Sequence, residues 1–446
     1  MSALDLLFNP KSVVLVGAAH TEIKFGGVIL KNLLRFRGKV FPVNPKYREL
    51  MGLQAYPSVQ EIPGPVDLAV IIRPAPEVPE ILRGLNGKVQ CAIIMSSGFA
   101  EVGQKVLQDE IKAIGKAIGI RILGPNCMGV FNPRARLDTF FLTQERLRRP
   151  RKGNVAILSQ SGAILSCLIS VLRDSNIGAS KVVGYGNAMD IDVSDLNDYL
   201  AHDADTDVVV SYIESVGDGR RFIESAKRLS EQKSMIILKA GKGESGQAAA
   251  YSHTGRLAGR YEVCHAVLRQ FALREAADFD ELMDAVKALS YQRPSKGSRV
   301  CIITNGGGSG VLAADECMRQ GLAVSPLPED KKERLGQKFP HFFGINNPVD
   351  LTAQVMDDEY GITLNVLRDD YDGFLVIALP NVLGITERLG GLMKDFKESS
   401  RKPVVLHIAP SGISAKLTAR LEKARIPVYP SPERAVRGLR ALLDRQ

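Results

Sequence analysis

The sequence predicts an α/β protein assembled from three successive parallel-sheet units. Short apolar runs of strand length alternate with longer amphipathic runs of helix length along most of the 446 residues. A strand, a glycine-containing turn and a helix follow one another three times, at Gly17, at Ser161-Gly162 and at Gly306–Gly310. Charged or polar, proline-containing stretches at Glu145–Lys152 and Gln292–Arg299 separate these three devices and read as linkers. The expected boundaries are therefore 1–147, 153–293 and 295–446.

Composition narrows the function. Apolar residues make up 45% and charged residues 24%, an ordinary balance for a chain with sizeable cores. A net charge of +9 suits polyanionic ligands such as nucleotides. A nucleic-acid interface is not expected, because aromatics are only 6% and none interleave with a basic run. The six cysteines are scattered and form no CxxC pair, so neither a metal site nor a disulfide framework is expected. No apolar run reaches about 18 residues, and the first ten residues show no basic-then-apolar leader pattern. These features predict no membrane span and a cytoplasmic location.

In the first unit, strand Ser12–Val16 ends in Gly17-Ala18-Ala19, and Gly26-Gly27 leads into a helix predicted over Val28–Phe36. Further strands are predicted at Lys39–Val43, Leu68–Ile72, Cys91–Met95 and Ile120–Leu123, with helices over Glu77–Gly84 and Val102–Ile118. The full GxGxxG fingerprint is absent, and no acidic residue stands at a clear ribose position. Both observations argue against a nicotinamide-dependent dehydrogenase. The strand ends carry Gly17 and Ala18, then Val43, Asn44 and Lys46, then Ile72, Arg73 and Pro74, then Ser96, Ser97 and Gly98, then Asn126 and Cys127. Each alone is ordinary turn chemistry. In series at the carboxyl ends of parallel strands they outline a ligand crevice with backbone donors and two cations. Cys127 reads as a small packing residue.

In the second unit, strand Asn154–Leu158 runs into Ser159-Gln160-Ser161-Gly162 and a helix over Ala163–Arg173. Unpaired N–H groups and the helix dipole make such a start an anion site, to which the Ser159 and Ser161 hydroxyls can add donors. Ser161 also suits the N-cap. Strand Val208–Ile213 ends at Glu214. The apolar run Met235–Leu238 leads into Gly241–Gly259, rich in Gly, Ala and Ser and centred on His253. Such a stretch buries little apolar area and is predicted to be a mobile loop. A neutral imidazole nitrogen is a competent nucleophile at neutral pH. The Glu214 carboxylate can accept a proton from His253 and fix its tautomer, although by itself it would read as a surface charge.

The third unit opens with strand Arg299–Thr304, then Asn305-Gly306-Gly307-Gly308-Ser309-Gly310 and a helix over Val311–Gly321. Gly307, Gly308, Ser309 and Gly310 would give a second anion-ready helix start. Buried strands at Phe374–Leu379 and Pro403–Ile408 and a helix over Pro430–Leu443 complete the unit.

The segment Ser252-His253-Thr254-Gly255-Arg256-Leu257-Ala258-Gly259 resembles the phosphohistidine loop of the nucleoside-diphosphate-forming acyl-CoA synthetases, the superfamily of succinyl-CoA synthetase. Pro42-Val43-Asn44-Pro45-Lys46, Gly124-Pro125-Asn126-Cys127 and Asn347-Pro348-Val349-Asp350-Leu351-Thr352 match further motifs of that family. The resemblance covers nearly the whole chain and is to alpha subunits of ADP-forming acetyl-CoA synthetases. It implies a Rossmann-like CoA-binding domain followed by two flavodoxin-like domains of succinyl-CoA-synthetase type. It implies an acid–CoA ligase acting on a small carboxylic acid or its acyl-CoA. His253 would be phosphorylated, with Glu214 as its acidic partner. Ser159, Ser161, Gly162 and the Gly307–Gly310 turn would hold the phosphoryl group between two helix ends. Lys46 would contact CoA phosphate, the Ser97 turn would lie near the pantetheine, and the Gly186–Asp190 loop near the acyl site. Arg73 departs from the family's usual apolar residue.

The implied ligands are CoA, phosphate, and ADP or ATP with magnesium. The nucleotide would sit mainly on an ATP-grasp beta subunit in an α2β2 assembly, because the chain has no GxxxxGK[ST] loop and no segment large enough for ATP-grasp. The alternative is a non-catalytic CoA-sensing or regulatory module of the same architecture. In such modules the histidine is typically lost and an acetyltransferase domain is appended, so His253 and the end of the chain after the third unit favour the enzyme.

Overall fold

A computed structural model describes residues 3–248 and 260–444. The chain divides into two compact units, Met1–Ala276 and Ala277–Gln446.

The first unit holds two large sheets. One has five strands in the order Lys39–Val43, Ser12–Val16, Val66–Ile71, Val89–Ile94 and Arg121–Leu123, all parallel. Successive side chains of a strand point to opposite faces, and both faces here are apolar. Val13, Leu15, Leu68 and Val70 join one core, with Ile29, Leu30 and Leu33 of the helix Phe25–Leu33. Val14, Val16, Ala69 and Ile71 join the other, with Leu82 and Ile111 from the helices Val78–Gly84 and Lys105–Ala117. Coverage on both faces is why these strands read as unbroken apolar runs rather than alternating ones.

The other sheet has seven strands. Arg274–Glu275, Ser234–Lys239, Val208–Ile213, Lys152–Ser159 and Ala179–Gly184 are parallel, and Gly129–Asn132 and Leu137–Asp138 close the edge antiparallel. Ala156, Leu158, Val183, Val209 and Ile237 of this sheet belong to the same core as Leu15 and Val70 of the first. A shared core makes the two sheets one unit.

The stretch at Glu145–Lys152, read as a linker, is anchored through Arg149. The Arg149 side chain is 5% exposed and pairs with Asp138, Nε to Oδ2 at 3.0 Å. Its Nη2 donates to the Leu142 carbonyl at 2.8 Å, and its guanidinium lies 5.0 Å from the Phe140 ring centroid. Asn32, on the helix Phe25–Leu33, donates to the carbonyls of Phe140 and Leu142 at 2.8 and 3.2 Å. A guanidinium is buried only where its donors are met. Two residues eleven apart along an irregular strap carry no periodic signal of that.

The second unit has a six-stranded sheet in the order Gly344–Ile345, Val349–Asp350, Val300–Thr304, Gly373–Ala378, Val404–Ile408 and Val428–Tyr429. Only the first pair is antiparallel. The helix Phe279–Tyr291, ahead of the expected boundary at 293, lies in this unit. It is tied to the helix Pro432–Leu442 by Arg434, whose Nε and Nη2 donate to the buried Asp284 carboxylate at 2.9 and 2.7 Å. Among the described residues no helix is long and apolar enough to cross a membrane.

Candidate active site

The strand order of the first sheet reverses between Ser12–Val16 and Val66–Ile71, where open α/β sheets bind ligands. Gly17 leaves the first strand at φ +97°, and a Cβ there would lie 2.3 Å from the Ile72 carbonyl oxygen. A Cβ on Gly26 would lie 2.0 Å from the Gly17 oxygen. The helix therefore begins at Phe25, three residues earlier than predicted, and crosses the turn in backbone contact that only glycine permits. Asn44 fixes the neighbouring loop: its Nδ2 donates to the Ala18 carbonyl at 2.7 Å and its Oδ1 accepts from Lys46 N at 2.9 Å.

Gly17, Ala18, Val43, Asn44, Lys46 and Arg73 line one cleft of about 740 Å³. Lys24 and Lys46 reach it as exposed cations, with no carboxylate within 4 Å among the described residues. Arg73 does not add a third. Its Nε and Nη2 hold Glu77 Oε2 at 2.8 and 2.6 Å.

A second cleft of about 560 Å³ shares Arg73 and runs past Ile72, Pro74, Ser96, Ser97, Asn126 and Cys127 to Gln160, Gly162 and Ala163. Ser96 Oγ accepts from Arg73 N at 3.2 Å and donates to the Arg73 carbonyl. Gly98 lies behind the wall at φ +109°. Glu101 holds this wall. Its Oε1 accepts from Gly98 N and Phe99 N at 2.6 and 3.1 Å, and its Oε2 from Asn187 Nδ2 at 2.6 Å. Asn187 Oδ1 accepts in turn from Asn126 Nδ2 at 3.3 Å. One carboxylate thus ties together three strand-end loops. Asp190, expected near the acyl site, pairs with Arg121 at 3.0 Å and accepts from Ile122 N at 2.7 Å, joining the two sheets. Burial pushes the Cys127 thiol up to about 12, and its Sγ lies 3.3 Å from the Ile94 carbonyl oxygen. Such a thiol packs; it does not attack.

The second sheet reverses order between Lys152–Ser159 and Val208–Ile213, and there the serine turn meets Glu214. Ser159 Oγ donates to the Ser161 carbonyl at 2.8 Å, so its hydroxyl proton is spent inside the turn and is not offered to a ligand. Ser161 Oγ accepts from Ile164 N at 3.3 Å as the N-cap of the helix Gly162–Asp174, which leaves its own proton to donate. Gly162 and Ala163, the first helical residues, line the second cleft. Gln160 Oε1 accepts from Glu214 N at 2.5 Å and Ser215 N at 2.9 Å. Glu214 is buried, and Lys239 Nζ donates to its carbonyl at 2.8 Å. Burial lowers the Lys239 pKa, and burial together with the Glu214 carboxylate raises that of Tyr212. His253 and the segment from Ser252 to Gly259 lie outside the described residues.

In the second unit the helix Gly307–Arg319 starts four residues earlier than predicted. Gly307 and Gly308 are exposed, whereas Gly310 is buried, and a Cβ there would meet Thr304 Cγ2 at 3.0 Å. A Cβ on Gly307 would lie 2.8 Å from Asp350 Oδ2, so a carboxylate already stands beside this helix start. Ser309 is partly exposed in the first turn.

Sequence reasoning assigned no role to Gln160, Glu101, Phe25, Met95, Met128 or Phe141, which hold or line the second cleft. Gln160 was legible in principle as the residue between two turn serines. The four apolar residues are scattered over more than a hundred positions and look like any core residue.

Comparison with known proteins places this arrangement among the CoA-dependent acyl ligases of succinyl-CoA-synthetase type. A CoA binding domain matches residues 11–133, a succinyl-CoA ligase like flavodoxin domain residues 152–289, and a Ligase-CoA domain residues 300–432. The alpha subunit of acetate–CoA ligase [ADP-forming] II from Pyrococcus furiosus is 39% identical, over 99% of this chain and 97% of its own. The acetate–CoA ligase [ADP-forming] of Methanocaldococcus jannaschii is 40% identical over 98% of this chain, which spans 62% of that longer protein. The solved acetyl-coenzyme A synthetase 1 of Candidatus Korarchaeum cryptofilum, in complex with phosphate and ADP, aligns with a TM-score of 0.92 at 35% identity, covering 98% of this chain and 96% of its own. The chain belongs to the family of ADP-forming acetate–CoA ligases, as an alpha-type chain.

Proposed function

We propose that this chain interconverts acyl-CoA, phosphate and ADP with the free acid, CoA and ATP, through a phosphohistidine at His253. The observation that supports this most is the pair of adjoining clefts, one over Lys46 and Gly17 and the other reaching the helix start at Gly162. CoA lies along the strand ends, its phosphates toward Lys46 and Lys24 and its thiol end past Ser97. Phosphate lies at Gly162 and Ser161. Phosphate oxygen attacks the thioester carbonyl, the C–S bond breaks, and CoA leaves with acyl phosphate remaining. The acyl phosphate passes its phosphoryl group to His253, releasing the carboxylate. Phosphohistidine then phosphorylates ADP. Preorganised N–H groups at the helix start stabilise the phosphoryl charge, and a covalent intermediate divides one demanding transfer into smaller ones.

The buried Glu214 serves as the acidic partner of His253. The Gly307–Gly310 turn is a second phosphoryl-holding start, with Asp350 beside Gly307 opposing anions there. The nucleotide with its magnesium sits on an ATP-grasp beta subunit in an α2β2 assembly, a reading supported by the alpha-subunit name of the Pyrococcus furiosus relative. A cytoplasmic setting suits the six free cysteines. Acyl-CoA with labelled phosphate should label His253 in an acid-labile, base-stable form. The His253→Ala variant should lose label and ligation while keeping CoA, and label persisting in that variant would refute the role.

A further inference from the structure

We propose that a cleft at the amino-terminal ends of the strands Ser12–Val16 and Lys39–Val43 is a separate anion site, which takes a linear polyphosphate chain, that of inorganic tripolyphosphate or of a nucleoside triphosphate. The cleft over Gly17 and Lys46 stands at the carboxyl ends of the same two strands. The two clefts are thus a strand of five residues apart, about 16 Å.

The cleft has a volume of about 640 Å³, ample for a small ligand. Its titratable lining is cationic throughout: Lys11, Arg37, Lys39 and Arg134, all exposed. Arg134 is held by Asp205, Nη1 to Oδ1 at 2.6 Å. Lys11, Arg37 and Lys39 have no carboxylate within 4 Å among the described residues. The neighbouring Asp67 carboxylate is engaged by backbone, its Oδ2 accepting from Lys11 N at 2.6 Å and Ser12 N at 3.2 Å.

The fold, not mutual attraction, brings these cations together. Ser12 and Lys39 are partners in the sheet, and Lys39 N donates to the Lys11 carbonyl at 2.9 Å. A Cβ on Gly38 would lie 2.3 Å from that same oxygen, so the turn between Arg37 and Lys39 closes onto Lys11 as only glycine allows. Asn132, fully buried, braces the rim at Arg134: its Nδ2 donates to the Phe8 carbonyl at 2.8 Å and its Oδ1 accepts from Arg134 N at 3.0 Å. Like charges gathered on a fixed frame repel, and an anion that meets several of them at once relieves the repulsion. They stand on separate segments, so one carboxylate or phosphate meets one or two of them, whereas a chain of phosphates meets them all. Phe36, the aromatic residue of the lining, is 9% exposed and offers a base no face to stack on. The site therefore reads phosphates rather than a nucleobase.

The test is calorimetry on the full chain, with CoA and phosphate present in excess, at about 0.15 M salt, where charges beyond about 8 Å are screened. The probes are tripolyphosphate, ATP, AMP and an oligoglutamate peptide of matched charge. Tripolyphosphate and ATP should bind within about threefold of each other, and AMP at least about tenfold more weakly. ATP binding without tripolyphosphate binding would overturn the proposal. The combined variant Lys11→Gln, Arg37→Gln, Lys39→Gln should raise the tripolyphosphate Kd at least about tenfold. Lys105→Gln, Lys112→Gln, Lys116→Gln removes the same charge from exposed positions of the helix Lys105–Ala117 and should leave that Kd unchanged. Equal weakening in the two variants would mean diffuse attraction and overturn the site. Tighter binding of the peptide than of tripolyphosphate would also overturn it, assigning the cations to an acidic protein surface. Should the combined variant fold poorly, Arg37→Gln and Lys39→Gln singly should each raise the Kd at least about threefold, and no change in either refutes the site.

Discussion

Gln160 holds Glu214 by its backbone: one side-chain oxygen accepts from Glu214 N at 2.5 Å and from Ser215 N at 2.9 Å. The Ser159–Gly162 turn and the strand end at Glu214 are therefore tied together. Gln160→Leu leaves two buried N–H groups unpaired, a cost of about 1–3 kcal/mol each at most. The expected outcome is labelling of His253 slowed by roughly 10–100-fold, the rate equivalent of that range, with the CoA Kd unchanged. Quench-flow labelling beside calorimetry checks both halves.

Glu101 offers a second test of positioning. Glu101→Ala strips the acceptor from Gly98 N, Phe99 N and Asn187 Nδ2 together. CoA binding should weaken by about 1–2 kcal/mol as the Ser97 turn loosens, and the melting temperature should fall. Glu101→Gln keeps one carbonyl acceptor and should recover part of both. Equal loss in the two variants would show that charge, not the acceptor, matters.

Two of the basic residues lining the first cleft should behave differently. Lys46→Ala should cost about 1–3 kcal/mol of CoA affinity, shrinking at high salt. Arg73→Ala should cost less than about 1 kcal/mol, because its guanidinium is already engaged by Glu77 in an exposed pair. A larger loss at Arg73 than at Lys46 would reverse the assignment.

The second unit should be acid-sensitive through His407. The imidazole is buried, its Nδ1 lies 3.1 Å from the Tyr429 carbonyl oxygen, and burial holds its pKa below the ordinary 6.5. Below pH 6.5 the unfolded chain takes up a proton that the folded one resists, so stability is full above that pH and falls as pH drops toward the lower folded value. One proton contributes at most about 1.4 kcal/mol per pH unit. His407→Asn, which keeps a donor, should flatten that slope in denaturant titrations between about pH 6.5 and 5.

Much of this architecture is legible in sequence because parallel strands buried on both faces announce themselves. Val13–Val16 is apolar without interruption, Val208–Ile213 is interrupted by Ser211 and Tyr212 alone, and each ends at a switch point. The strand-end series from Gly17 to Cys127 is legible for the same reason: residues at successive strand ends become neighbours. What stayed hidden depends on side chains meeting across distance. The partnership of Glu101 with Asn187 spans two sheets, and Arg149 looked like a linker charge until Asp138 was folded against it. Helix starts were misplaced at Phe25 and Gly307 because glycine was read as turn, whereas here it is the first helical turn pressed against backbone or carboxylate.

The strands Gly129–Asn132 and Leu137–Asp138 precede the charged stretch at 145–152 yet pair into the sheet that follows it. The seam along which this chain could be recombined is thus not the seam its charge pattern advertises. A crossover near residue 147 would hand the CoA-binding half of one relative to the phosphate-handling half of another, together with two edge strands shaped for a different neighbour. Ala179–Gly184 would then have to accept a foreign edge or stand bare, inviting pairing with another chain. Exchange of the CoA-binding half between lineages is better tolerated when the cut falls before Gly129, so that the edge pair and its Asp138–Arg149 clasp travel with the sheet they complete.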